Sequence, residues 1–422
     1  MKIIKKGSHR LFEEDNKTIK IVSAMLEDLK DNGMDAVRKY SIKFDKWNPD
    51  RFELTELQIE EAIAKCNKQL IKDTDVCQNN IRSFAKVQLS TLKPLEVEIR
   101  EGTILGHRHI PINNVGCYVP GGRYPMFGSA QMSIIPAKVA GVKNVIACTP
   151  PVKDIGYYPA TINAIKKSGA DRIFILGGVQ AFALMAFGMD SVPSVDMLCG
   201  AGNKFVVEAK RQLYGRCGID LLAGPTEISI IADNDADPSL VACDLLGQAE
   251  HDFHSGQMLI CFSEEFACRT LAEVDIQLKK LPSREVASTS WNNNGIICVA
   301  DNDDEAIKIS DDYAPEHLEL HLNNADYYFE NLTNYGSLFI GEETTVAYGD
   351  KCIGTNHILP TSKAARYTGG VWVGKFLKTV TYQRMTSGAS IEMGKICNRQ
   401  CEVEKMLAHA RTAKVRIKKY ET

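Results

Sequence analysis

Val115-Gly-Cys-Tyr-Val-Pro-Gly-Gly122, Asn144-Val-Ile-Ala-Cys148, Arg172-Ile-Phe-Ile-Leu176 and Val195-Asp-Met-Leu198 are short apolar runs that recur along one stretch of the chain. Each has the length of a strand, and continuous apolar runs of that length fit strands buried on both faces. The spacing predicts strands at Val115–Val119, Asn144–Cys148, Arg172–Leu176 and Val195–Leu198. Helices fill the intervals at Ser129–Ala140, Tyr158–Lys167, Gln180–Phe187 and Asn203–Leu213. Strand–helix alternation with short glycine-containing turns specifies a parallel sheet covered by helices on both sides. A second alternating run follows at Glu227–Ala232, Leu259–Phe262, Gly295–Ala300 and Ser337–Ile340. The fold class is therefore α/β, with two Rossmann-like parallel-sheet units. The pattern leaves open whether one is inserted into the other.

Outward from this region, the first hundred residues read as amphipathic helices at Lys17–Asn32, Thr55–Lys68 and Thr74–Leu92, followed by strands at Val97–Arg100 and Thr103–His109. A chain of 422 residues is too long for one ordinary core. Its formal charge of -3 gives no electrostatic case for nucleic acid. Charges interrupt every apolar run well before membrane-spanning length, and the basic start Met1-Lys-Ile-Ile-Lys-Lys lacks the apolar core of a signal peptide. The 13 cysteines are odd in number and scattered, with Cys148, Cys261 and Cys298 in strand-like contexts and no C-x-x-C pair. Buried free thiols in a reducing cytoplasm fit that usage. Cys397 and Cys401, four apart, could share a metal, although packed or exposed thiols are the ordinary reading.

Gln248 and His251 stand three apart at the end of a predicted helix, Pro238 to Glu250. Residues so spaced share a face and can grip one metal ion, although a Q-x-x-H pair alone is usually a solvated helix end. Asp350, His357 and His409 lie in polar, glycine-rich or charged contexts further on. Glu316-His317 pairs a carboxylate with an imidazole, the side chain best poised to move protons near neutral pH. Neighbours on a strand point to opposite faces, so convergence of this pair needs a turn, which Pro315 supplies. Gly177-Gly178 and Gly200-Ala-Gly-Asn203 join strands to helices and could offer backbone N–H groups to phosphate, but G-x-G-x-x-G is absent. His107 and His109 alternate in a strand and share one face, read as solvated or lining a cleft mouth.

Five blocks in order change the weight of these residues. They are the run from Val115 to Gly122, Leu222-Ala-Gly-Pro-Thr-Glu227, Gly247-Gln-Ala-Glu-His-Asp252, Ala314-Pro-Glu-His-Leu318, and Gly349-Asp350 with Gly354-Thr-Asn-His-Ile-Leu-Pro-Thr361. In this order the chain strongly resembles the histidinol dehydrogenase family, from the first helices to Arg416. The resemblance implies zinc held by Gln248, His251, Asp350 and His409. It makes His317 the base and Glu316 the activator of water. Thr226 (at a family serine), His357 and Glu404 would contact substrate, beside the zinc ligands and His317. Tyr118, Gln180 and Asn203 would contact NAD, whereas their ordinary readings include a core aromatic for Tyr118 and a helix N-cap for Asn203.

The same resemblance divides the chain into a helical segment 1–114 joining the second α/β domain, an NAD-side domain 115–226, a second domain 227–375 with the metal and acid–base residues, and a small helical tail 376–422. That tail would carry Glu404 and His409 into the partner's site in a homodimer. The implied reaction is a four-electron oxidation of a polar primary alcohol to a carboxylate, L-histidinol to L-histidine in the reference case. Arg123, Lys351, Arg366, Trp372 and Lys375 depart from the usual members and resemble the group that includes sulfopropanediol dehydrogenases. Added cations suit an anionic diol such as 2,3-dihydroxypropane-1-sulfonate. A reading of another class is a catalytically silent zinc- or nucleotide-binding protein, against which the retained Glu316 and His317 speak.

Overall fold

A computed structural model describes residues 1–7, 15–121 and 124–421. Gly122 and Arg123, singled out above, lie outside the described residues. The chain opens with a short strand β1 (Lys2–Lys5) and three helices, α1 (Asn16–Tyr40), α2 (Glu56–Ala64) and α3 (Lys68–Ser90). The backbone leaves the helical region at Gly33, where φ is +51°, so the first regular stretch of α1 stops where the sequence expectation ended. A hairpin of β2 (Leu95–Arg100) and β3 (Thr103–Pro111) follows.

The first alternating run forms β4 (Asn114–Tyr118), α4 (Gly128–Ala140), β5 (Asn144–Thr149), α5 (Pro159–Ser168), β6 (Arg172–Ile175), α6 (Gly178–Phe187), β7 (Met197–Cys199), α7 (Lys204–Leu213) and β8 (Gly218–Ile219). Its strands make a parallel sheet in the order β6-β5-β4-β7-β8. The strand order reverses between β4 and β7, which opens a crevice at their carboxyl ends. Helices α1–α3 pack on this unit: Ile59, Ile81 and Ala85 join one core beside the sheet, and Val22, Leu26 and Leu29 join the core on its other face with Phe182. Among the described residues of the first hundred, β1 adds to the second sheet. The apolar faces of α1–α3 pack mainly on helices α4–α7, and α3 also reaches the second run, where Asn80 donates to the Cys352 carbonyl at 2.8 Å.

The second run comprises β9 (Glu227–Ala232), α8 (Pro238–Ala249), β10 (Gly256–Cys261), α9 (Glu264–Leu278), α10 (Arg284–Asn294), β11 (Gly295–Val299), α11 (Asp303–Tyr313), β12 (His317–His321), α12 (Ala325–Asn331), β13 (Ser337–Ile340) and α13 (Val346–Lys351). Its sheet runs β1-β11-β10-β9-β12-β13, parallel except for β1. Every residue of β9 and β12 is buried, as a central strand covered on both faces requires.

The tail is less purely helical than expected. It opens with β14 (Leu377–Met385), which pairs residue for residue with β3, from Leu377 opposite Pro111 to Met385 opposite Thr103. Thr379, Val380, Thr381 and Tyr382 favour the extended chain, and β3 offers them an open edge. Helices α14 (Ser387–Val403) and α15 (Leu407–Tyr420) then form a hairpin packed chiefly on itself. Among the described residues, no helix is long and apolar enough to cross a membrane. None of the cysteines is in a disulfide; Cys148, Cys261 and Cys298 are buried, and Cys397 and Cys401 have sulfurs 3.8 Å apart.

Candidate active site

β9 and β12 are neighbours, and their amino ends carry a buried polar cluster. Ala314 adopts a left-handed conformation (φ +49°) and Pro315 follows, so the chain turns sharply before β12 begins at His317. Glu316 lies just outside the strand, and the turn brings its Oε2 to 3.5 Å from His317 Nδ1. Adjacent residues thus converge because one of them is off the strand.

Glu316 Oε2 accepts the backbone N–H of Glu227 at 3.0 Å and the hydroxyl of Thr226. Thr226 in turn accepts from the side-chain amide of Gln248. Gln248 is buried on the last turn of α8, which runs antiparallel to the strands and so ends beside their amino ends. Burial raises the Glu316 carboxyl to about 7, with the His317 charge and the two hydrogen bonds opposing.

His317 is 3% exposed. Its Nδ1 lies 2.9 Å from the carbonyl oxygen of Glu227, which can only accept, so Nδ1 carries the hydrogen. Nε2 is left as the basic nitrogen. It is buried, has no hydrogen-bond partner, and faces Asp350 Oδ1 at 3.8 Å.

Asp350 sits near the end of α13. Burial pushes its carboxyl up, but His357, His317, Lys351 and His251 together hold it below the usual carboxylate range. Lys351 Nζ is 3.6 Å from Asp350 and more than half exposed. His251, one residue beyond the cap of α8, is held below the ordinary histidine value by burial, against the pull of Asp350. His357 Nδ1 lies 3.1 Å from the Asp350 carbonyl, and its Nε2 is 3.0 Å from Ser129 Oγ at the start of α4. An element of the first unit therefore touches the cluster of the second. Neutral imidazoles, an ionised carboxylate and an amide form a donor set that suits zinc. The unpartnered His317 Nε2 beside them marks where a reacting group can approach.

Tyr118, Gln180 and the loop before Asn203 meet at the carboxyl ends of β4, β6 and β7, at the strand-order reversal. The buried Tyr118 hydroxyl accepts from Gly178 N at 3.2 Å, and burial raises it to about 12. Gln180 donates to Asp45 at 2.8 Å. Burial raises Asp45 to about 6. Asn203 is an N-cap, accepting from the backbone of Phe205 and Val206. Gly200 passes so close to Tyr118 that a Cβ would sit 2.2 Å from its carbonyl oxygen.

Glu404 and His409 are exposed, on the self-packed hairpin of α14 and α15. No hydrogen bond or ion pair links either side chain to the cluster among the described residues. His107 and His109 do share a face, with rings 5.2 Å apart. Arg366 bonds back to Lys363 O, Lys375 reaches Thr368, and Trp372 lines a separate cleft of about 230 Å³ with Phe84 and Asn356. Sequence reasoning missed Ser129, Asp45 and the carbonyl of Glu227. Ser129 opens a helix, a position where serine is commonplace, and a backbone carbonyl has no sequence signal at all.

Residues 9–417 match the family described as histidinol dehydrogenase. The chain belongs to the histidinol dehydrogenase family. It is 50% identical over 416 residues to a histidinol dehydrogenase homolog of Shouchella clausii, covering 98% of each chain. It is 41% identical over 419 residues to the sulfopropanediol 3-dehydrogenase of Ruegeria pomeroyi, covering 99% of this chain and 96% of that one. The crystal structure of histidinol dehydrogenase from Elizabethkingia anophelis superposes with a TM-score of 0.92 at 34% identity, covering 99% of this chain and 95% of that one. As a member of this family the chain is a dehydrogenase.

Proposed function

We propose that this dehydrogenase oxidises a polar primary alcohol to a carboxylate in two hydride transfers to NAD, with an aldehyde held between them. The observation that carries the reading is His317: its Nδ1–H is fixed by the Glu227 carbonyl, and its buried Nε2 is unpartnered beside Asp350. That tautomer leaves a neutral base poised to take the hydroxyl proton as hydride departs.

Glu316, with a carboxyl near 7, is half ionised at neutral pH and draws a proton from water for the second oxidation. The Gln248–Thr226–Glu316 chain points donor to acceptor toward the carboxylate and fixes its orientation. Gln248, His251 and Asp350 would hold zinc with His409, and zinc would bind and orient the polar groups of the substrate. Thr226 and His357 line the same cluster, and Glu404 completes the substrate contacts from the tail. Tyr118, Gln180 and Asn203 would bind NAD at the crevice of the first sheet.

Homodimerisation supplies Glu404 and His409. The hairpin that carries them packs chiefly on itself and exposes Val403 and Leu407, so a second copy is a fitting cover. The unpaired cysteines agree with a reducing cytoplasm.

L-histidinol is one candidate substrate, and an anionic diol such as 2,3-dihydroxypropane-1-sulfonate is the second. Lys351, exposed beside Asp350, favours the anion. NADH formation with the two compounds, run side by side on the zinc-loaded protein, tests the choice. Turnover of neither, with NAD and zinc bound, would leave a silent binding protein.

A further inference from the structure

β12 presents three polar side chains in alternation, His317, Glu319 and His321, and alternate residues share one face. On α8, Asp244 and Gln248 are four apart and likewise share a face. The active-site cluster uses Gln248 and His317. One helical turn back along α8, Asp244 meets Glu319 and His321 in a second cluster that the proposed chemistry leaves unused.

The second cluster has the build of a binding site. Asp244 Oδ1 accepts the Thr345 hydroxyl at 2.8 Å, and Glu319 Oε1 accepts the Val346 backbone N–H at 2.8 Å. One oxygen of each carboxylate is therefore held in place. The other oxygens face a common point: His321 Nε2 lies 3.5 Å from Glu319 Oε2 and 3.9 Å from Asp244 Oδ2. The side chains of Glu319 and His321 are each 1% exposed. Glu319 Oε2 and both His321 nitrogens are buried without a hydrogen-bond partner. One donor atom from each of the three residues fits within 4.8 Å of the others.

Two donors about 2.1 Å from a tetrahedral ion stand about 3.4 Å apart, close to the spacing already present. Hydrogen bonds to the far oxygens are the supports that orient ligating carboxylates.

We propose that Asp244, Glu319 and His321 form a second divalent-metal site, taking a small first-row cation such as zinc or manganese. One imidazole and two carboxylates form a donor set of that class, with an open position for water. Burial and the adjacent Glu319 charge both raise the Asp244 carboxyl, a repulsion that a dication relieves. Asp244 is 16% exposed on its side chain, which leaves the ion a route in. The ion would tie β12, which carries His317, to α8, which carries Gln248. Through Val346 it would also tie in α13, which carries Asp350. Its role is to position those elements and not to contact substrate. The site is independent of the function proposed above, because none of its three ligands belongs to the active-site cluster.

The test uses the full chain with His251→Ala and Asp350→Ala, which dismantles the other candidate metal centre. Metal-free protein is titrated with zinc chloride and, separately, manganese chloride by calorimetry, and bound metal is counted after gel filtration. We expect one ion per chain, and at least about 100-fold weaker binding when His321→Gln is added. Glu319→Gln, which keeps the bond to Val346, should weaken binding similarly. A folded double variant that binds no ion would overturn the site, as would binding that survives His321→Gln unchanged. Should the double variant not fold, wild-type crystals soaked in manganese decide the matter. An anomalous peak between His321 and Glu319 supports the site, and its absence at full soak overturns it.

Discussion

Replacing Glu316 by glutamine should separate the two proposed oxidations. The side chain keeps its size, and its oxygen can still accept from Glu227 N–H and the Thr226 hydroxyl. Shape and hydrogen bonding are preserved while the capacity to take a proton is lost. Loss of a general base costs about 100- to 10,000-fold, so oxidation of added aldehyde should slow by that factor while the alcohol step slows much less. The pH dependence gives a sharper reading. Burial places the Glu316 carboxyl at about 7, and on the proposed mechanism the ionised form would be the active base. About half of it is ionised at pH 7, about a tenth at pH 6 and about nine-tenths at pH 8. The wild-type aldehyde step should therefore fall about fivefold from pH 7 to pH 6 and rise about twofold from pH 7 to pH 8. Thr226→Val removes a donor to the carboxylate, which should move the inflection to higher pH. Single-turnover NADH formation from aldehyde, followed from pH 5 to pH 9, provides the assay. Wild-type speed in Glu316→Gln, or an inflection that survives in it, would refute the assignment. A wild-type midpoint near 4.5 would refute the burial argument instead.

Three further outcomes are expected. His251→Ala or Asp350→Ala should lose the active-site zinc and nearly all activity while staying folded, checked by metal analysis on a background lacking His321; full zinc occupancy there would sink the ligand set. Mixing His251→Ala with His409→Ala subunits should restore some activity, since one hybrid site is then complete, and no recovery despite demonstrated exchange would mean the tail serves its own chain. Lys210→Met should destabilise the protein by about 3–5 kcal/mol in denaturant melts, because it removes the cation paired with the buried carboxylate of Asp220 and leaves it only the N–H groups of Gly200 and Leu221. Lys210 also donates to the Gly200 carbonyl at 2.9 Å, so the same variant should weaken NAD binding; unchanged stability would refute the weight given to the Lys210–Asp220 pair.

The parallel strands were legible because burial on both faces makes them unbroken apolar runs, as in Val145 to Cys148. β12 hid for the opposite reason. Its sequence, His-Leu-Glu-Leu-His, alternates like a half-exposed strand, yet all five residues are buried, with polar ones on an inner face. β14 and β1 escaped notice because their pairing partners lie far away in the chain. Gln248, Glu316, His317, Asp350 and His357 do meet in space, but their spacing in sequence could not have said so. Only the ordered motifs joined them. The Glu227 carbonyl that sets the His317 tautomer belongs to the backbone, which carries no residue code.

The strand pairings also impose an order on folding. β4 to β8 fall within residues 114–219, so the first sheet can close while the rest of the chain is still being made. The second sheet cannot be finished then, because Lys2 must find Val299. β3 keeps an open edge until Leu377–Met385 emerges from the ribosome. Unpaired edges are where chains stick to one another, and closing contacts across so many residues is slow. Refolding should accordingly end with a slow phase in which both chain ends are fastened. Aggregation during refolding should draw on β3 and β11 before the first sheet.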